Sequence, residues 1–331
     1  MTKRLLKILS VLIVLAIAAL IWTWWTFTRP PVPVRSQGPN AVWLAHRWAG
    51  DRIPPAEYLS LAQQLQGLYI TDAYFHVGPM DATGHIPEER RRFARTLVYF
   101  MKKAAPDLRL HAWIGQVEKR GGGPFDLADP VARQGAVDTA RLFLDLGFDG
   151  IHYNIEPISS GDTGWLDLLE ETAAITRPRG KLLSISGDEI EIFPGADFIA
   201  RMLAPRGRLW SRDYYRQVAQ HCDQIAVMTY DTAMPSPWLY RALMAWQTRL
   251  LQDTIDPRVT LFIGIPTYED HTWAFDPFVE NMYSGLAGIL WTLNGQIPAR
   301  LGTAIYAHWT TDKTEWEMFR LLWLGGGSEA R

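Results

Sequence analysis

The chain has 331 residues, 48% of them hydrophobic, and a formal net charge of −2. A chain this long and apolar can bury a large core, and one α/β barrel of about 250 residues plus an anchor accounts for it without a second domain. Five of the 33 basic groups and none of the 35 acidic ones fall in the first forty positions, which leaves the body 28 against 35, a net of −7 that argues against a nucleic-acid-binding body, which is more often basic.

Lys3, Arg4 and Lys7 precede an apolar run from Ile8 to Leu20 that continues through Ile21, Trp22, Trp24, Trp25 and Phe27. This matches the ~20 residues that cross a bilayer, with tryptophans suited to the far interface. A cleaved signal peptide would share the leading charges, but this run is long and no small-x-small site follows it. Residues 1–28 are therefore expected to be an uncleaved transmembrane signal anchor. The amino end is then cytoplasmic and the body extracytoplasmic, or secreted if the segment is cleaved. Residues 29–40, RPPVPVRSQGPN, read as an extended proline-rich linker.

From residue 41 to residue 331, short apolar runs alternate with longer amphipathic ones, the pattern of a parallel sheet wrapped by helices. Strands are predicted at Ala41–His46, Tyr69–Val77, Leu108–Gly115, within Gly147–Pro157, and at Lys181–Gly187, Gln224–Tyr230, Val259–Ile265 and Ala304–His308. The intervening helices are predicted at Pro54–Leu65, Glu88–Ala105, Pro130–Leu146, Gly164–Ile175, Asp213–His221, Trp238–Thr254, Phe278–Leu293 and Thr314–Leu324. The glycine run at 121–123 lacks the Lys-Ser/Thr of a phosphate loop and reads as a flexible segment. The lone Cys222 cannot form an intramolecular disulfide and reads as a buried thiol. Eight co-directional strands with crossovers imply a closed (β/α)8 TIM barrel with its chemistry at the carboxyl rim.

The most informative stretch is GFDGIHYNIEP, Gly147 to Pro157. Strand alternation sends His152, Asn154 and Glu156 to one face and Ile151, Tyr153 and Ile155 to the other, so the polar face points into the barrel and Glu156 reaches the rim. Asp149, in the turn before the strand, reads as structural. Other rim candidates are His46, Arg47, His76, Trp113, Gln116, Ser186, Asp188, Glu189, Tyr230, Asp231, Tyr268 and Trp309. This mixture of carboxylates, amides and flat aromatic rings suits a polysaccharide or glycan better than a phosphate or dinucleotide, and it calls for no cofactor. No ligand spacing around His152 points to a metal, so none is expected.

These residues also carry a family resemblance. GFDGIHYNIEP resembles the DGxDxDxE signature of glycoside hydrolase family 18, the chitinases and their relatives, with Asp149, Gly150 and Glu156 matching and His152 and Asn154 in place of two aspartates. The Asn-x-Glu ending resembles family 85, the endo-β-N-acetylglucosaminidases. AVMTYD, Ala226 to Asp231, is similar to the family 18 Met-x-Tyr-Asp, LFIGIPTY to its seventh strand, and Trp309 to its eighth-strand tryptophan. The resemblance implies cleavage of β-linked N-acetylhexosamine glycans with retention. The substrate's acetamido oxygen would be the nucleophile, Glu156 the general acid/base, and Asn154, Tyr230 and Asp231 would hold the acetamido group. Trp309, Trp113, His152, Gln116, Tyr268 and Asp188 are the expected substrate-binding residues, although His152 and Trp113 also suit a packed core, and Asp231 a loop cap. Two rival readings stay open: a lectin-like barrel that binds sugar without cutting it, and a two-carboxylate glycosidase in which Asp188, Glu189 or Asp231 partners Glu156.

Overall fold

The computed structural model describes residues 2–36, 38–203, 209–293 and 295–326. Eight parallel strands close into a barrel: β1 Asn40–Leu44, β2 Asp72–Pro79, β3 Arg109–Val117, β4 Gly150–Glu156, β5 Leu182–Gly187, β6 Gln224–Val227, β7 Thr260–Pro266 and β8 Leu301–Tyr306. Each pairs with its sequence neighbours, and β1 pairs with β8. All eight predicted strands are present, but β6 ends three residues earlier than expected, and β8 begins three residues earlier. The excursion after β5 holds a small parallel ribbon, Glu189–Ile190 with Leu209–Trp210, and a helix at Ala196–Leu203.

Alternation along the strands sorts two cores. Val42, Phe75, Ala112, Ile151, Ile225 and Ile263 face the helices, whereas Ala41, Trp43, Tyr74, Trp113, Ala226, Phe262 and Ala304 fill the barrel. Two turns at the amino rim use the same device. Asp149 before β4 accepts the Leu110 amide at 2.8 Å, and Asp223 before β6 accepts the Leu183 amide at 2.8 Å. Asp149 also pairs with Lys102 at 2.5 Å, in keeping with its structural reading.

The barrel floor holds a buried carboxylate that the sequence did not single out. Asp72 accepts from Arg109 Nε at 2.7 Å, His111 Nε2 at 2.8 Å, Gln224 Nε2 at 2.9 Å and Thr71 Oγ1 at 2.7 Å. Burial alone would push its carboxyl up, but the Arg109 and His111 bonds outweigh that and hold it well below the usual carboxylate range.

The proline-rich strip after the first helix is docked on the body over part of its length. Val34 and Ser36 are buried, and their amides donate to the carbonyls of Leu322 and Trp323 at 2.9 and 2.8 Å, pinning the strip to the last helix. The glycine run is held rather than flexible. A Cβ on Gly123 would lie 1.8 Å from the Val117 carbonyl oxygen, and one on Gly121 would lie 2.4 Å from Pro157 Cδ, so only glycine permits this approach to the residue after Glu156.

Candidate active site

At the carboxyl rim a pocket of about 390 Å3 opens between the ends of β4, β6, β7 and β8. Its lining includes Asn154, Glu156, Tyr230, Asp231, Tyr268 and Trp309. Six of the ten predicted site residues are thus brought together, and no lysine or arginine lines the pocket among the described residues. Met228, Asp270, Thr272, Tyr306, Ala307 and Thr310 complete it.

β4 carries Asn154 and Glu156 on its inward face, with Gly115 of β3 opposite Asn154. Enclosure by the strand ends pushes the Glu156 carboxyl up, a hydrogen bond from the Asn154 side chain holds it back, and the charge of Asp231 adds to the rise. The outer side of Glu156 remains open to the pocket. Donation to Glu156 orients the Asn154 amide and leaves its Oδ1 buried, without a hydrogen-bond partner. Beneath it, Trp113 Nε1 is also buried and unpartnered, 3.3 Å from where a Gly115 Cβ would stand.

Across the pocket, Tyr268 donates to Asp231 Oδ1 at 2.9 Å. Burial raises the Asp231 carboxyl, and this bond offsets part of the rise. Asp231 has φ +62°, a left-handed conformation that is costly for a non-glycine residue. The loop after it is clamped by buried Glu280, whose Oε1 accepts from the Thr232 amide at 3.0 Å and from Thr232 Oγ1 at 2.7 Å. Burial, with the charge of Asp231 adding, pushes Glu280 up to about 7 despite those two bonds. Glu189 is pushed up to about 8 by burial and by the charges of Glu280, Asp188 and Asp231.

Tyr306 is the hub of the aromatic wall. It stacks on Tyr230 with centroids 5.5 Å apart and meets Trp43, Tyr268 and Trp309 edge-on at 5.6, 5.9 and 5.8 Å. A strand ending at His308, as the sequence suggests, puts the rim beyond Tyr306. With the strand at Leu301–Tyr306, alternation puts Tyr306 last on the inward face. Trp309 lines the pocket from the loop beyond, with 48% of its surface exposed.

Four predicted site residues lie outside the pocket lining. His152 is fully buried. Trp43 Nε1 donates to its Nε2 at 3.0 Å, its Nδ1 meets Ser184 Oγ at 2.9 Å, and its ring stacks on Tyr74 at 3.8 Å. Both ring nitrogens are occupied, so His152 belongs to the barrel core and not among the sugar ligands. Gln116 is also corrected: it pairs with Ile155 on the outward parity of β3, and its amide donates to the Met80 carbonyl. Asp188 sits beside Tyr215, which donates to its backbone carbonyl, and Trp113 lies under the pocket with its ring 4.6 Å from that of His76. Among the described residues, no three His, Cys, Asp or Glu side chains are placed to hold a metal ion.

The chain is similar in structure to the spore cortex-lytic enzyme SleL of Bacillus cereus, at 12% identity and TM-score 0.57, covering 89% of this chain and 75% of that one. It is similar to a Group IV chitinase of Ostrinia furnacalis, at 15% identity and TM-score 0.56, covering 87% and 95%. A chitinase from Chromobacterium violaceum matches at 14% identity and TM-score 0.57, over 85% and 97%. No protein-family model matches the chain, and no curated protein matches it by sequence. At these identities the likeness is one of fold, and it agrees with the closed eight-stranded barrel.

Proposed function

We propose that this chain is a glycoside hydrolase acting on β-linked N-acetylhexosamine glycans by a substrate-assisted, retaining mechanism. The observation that carries the reading is the convergence of Glu156, Asn154 and the Tyr268–Asp231 pair in one aromatic-walled pocket, with Asn154 Oδ1 left as an unused acceptor. The fold neighbours whose names are chitinase and cortex-lytic enzyme support the same substrate class.

In this mechanism Glu156 gives its proton to the glycosidic oxygen as the bond to the anomeric carbon breaks. The acetamido carbonyl oxygen closes on that carbon, so positive charge develops on the acetamido nitrogen. Asn154 Oδ1 accepts its N–H, and Asp231 and Tyr230 border the same space. The ionised Glu156 then removes a proton from the water that opens the cyclic intermediate. The raised pKa of Glu156 suits both roles, and the dense protein around the pocket strengthens each polar contact. Incubating the full chain with chitooligosaccharides, peptidoglycan fragments and N-glycans, and weighing the products, tests the proposal. Cleavage should fall by roughly 10²-fold or more in Glu156→Gln with folding retained; unchanged turnover in that variant removes Glu156 from the chemistry.

The amino-terminal helix Thr2–Phe27 is read as a membrane anchor rather than a cleaved signal. It is long and apolar enough to cross a bilayer, and the residues after it are built into the barrel through Val34 and Ser36. Membrane-fraction extraction of the mature chain, with its amino terminus sequenced, tests this. A mature chain beginning near Arg29 would rule out the anchor.

A further inference from the structure

We propose that the barrel face formed by helices Pro237–Thr254 and Met282–Leu293 lies directly on a phospholipid surface, so that the body is held against the bilayer instead of swinging on a tether. The proposal rests on the anchor reading above and adds to it a lipid-contacting surface on the barrel.

The end of the apolar helix is itself part of the body. In its last turns Thr23, Thr26 and Phe27 form the sheltered stripe, while Trp22, Trp24 and Trp25 face outward. Phe27, 5% exposed, packs with Ala242, Ala245 and Trp238, and its ring lies 4.9 Å from that of Trp291. The Phe27 carbonyl, one of the unpaired acceptors at a helix end, takes a hydrogen bond from Arg241 Nη1 at 3.0 Å.

Depth follows from this seat. At ~1.5 Å of rise per residue, Trp24 and Trp25 stand only ~5 Å or less along the axis from Phe27. Tryptophan marks the headgroup level of a spanning helix, so the two barrel helices that grip Phe27 share that level. They carry the side chains expected there: Trp246 is 57% exposed, one turn beyond Ala242, and Trp291 is 49% exposed. Arg29 adds a cation 3.4 Å over the Trp25 ring, suited to lipid phosphates. The occupant is a bilayer rather than a second copy because this face continues the exposed apolar surface of the helix, where Leu5 to Ile21 stand clear of the body.

The test places single fluorescent labels on the full chain reconstituted in vesicles of phosphatidylcholine and phosphatidylglycerol in equal parts. Labels go on Leu12→Cys, Trp246→Cys, Trp291→Cys and Val131→Cys; native Cys222 is buried and its thiol pushed up, so it stays unlabelled. Nitroxide lipids with shallow or deep quenchers report depth. The proposal expects loss of emission at 246 and 291 with shallow quenchers, loss at 12 with deep ones, and none at 131, which lies across the barrel on helix Pro130–Asp145. Quenching at 12 with 246 and 291 as bright as 131 overturns the lipid-facing surface and leaves the anchor standing. No quenching at 12 removes the anchor, and this surface with it.

Discussion

The two ends of the barrel interior handle carboxylates in opposite ways. At the floor, Asp72 is wholly buried yet ionised, because Arg109, His111, Gln224 and Thr71 all donate to it. At the mouth, Glu156, Asp231, Glu189 and Glu280 share a region whose pocket is lined by no cation, and all four carboxyls are raised. Asp72 is fully buried while Glu156 and Asp231 are open on the pocket side, yet it is Asp72 whose carboxyl is depressed, so at the floor the partners outweigh the burial. The floor carboxylate is satisfied by its four donors and serves stability, although His111 Nδ1 and Gln224 Oε1 beside it stay unpartnered. At the mouth, Asn154 lines the pocket and its Oδ1 lacks a protein partner.

The comparison is sharpened most by exchanging the two kinds of carboxyl for amides or alanine. Glu156→Gln should lower kcat by roughly 10²- to 10⁴-fold, the contribution of a positioned general acid, while the melting temperature stays close to wild type. Asp72→Ala should do the reverse. It removes the acceptor of His111, Gln224 and the half-exposed Arg109 and should cost ~1–3 kcal/mol in urea unfolding, with kcat per folded molecule little changed. If Asp72→Ala altered kcat and not stability, the division between floor and mouth would be wrong.

The ends should also part with pH. Asp72 has a depressed folded pKa, so its contribution is full above the unfolded value near ~4 and is lost as pH falls below it. Glu280 and Glu189 have raised folded values of about 7 and about 8, so the folded state holds their protons longer and stability declines as pH rises from ~4.5 toward these values. Melting curves should show both arms, and Glu189→Gln should flatten only the alkaline one. An unchanged alkaline arm in that variant would sever Glu189 from the mouth cluster.

Two smaller effects test the pocket walls. Asn154→Asp should change kcat more than KM, because the residue faces a charge that develops during reaction. Trp309→Ala should raise KM roughly 2- to 13-fold, as loss of an aromatic contact worth ~0.5–1.5 kcal/mol would.

The barrel was legible because apolar runs and amphipathic helices alternate eight times, and Glu156 was legible because one strand's parity decides which side chains enter. Parity also explains the errors. Gln116 has the position of a rim residue at the end of β3, yet it shares the outward parity of Ile155. His152 points inward as expected, but its partners Trp43, Tyr74 and Ser184 come from β1, β2 and β5, and one strand does not reveal what its neighbours supply. Glu280 stayed hidden because it reaches the Asp231 loop from the segment before a helix, away from any strand end. Likewise, prolines predict the extension of residues 29–40 but not the carbonyls of Leu322 and Trp323 that hold part of the strip.

The most direct test compares oligomers of equal length that carry or lack the acetamido group, with product anomers followed by proton NMR. If the substrate supplies its own nucleophile beside Asn154, only the acetylated oligomer is cut, and the β-anomer forms first. Comparable cleavage of the deacetylated oligomer, or first appearance of the α-anomer, would contradict the account.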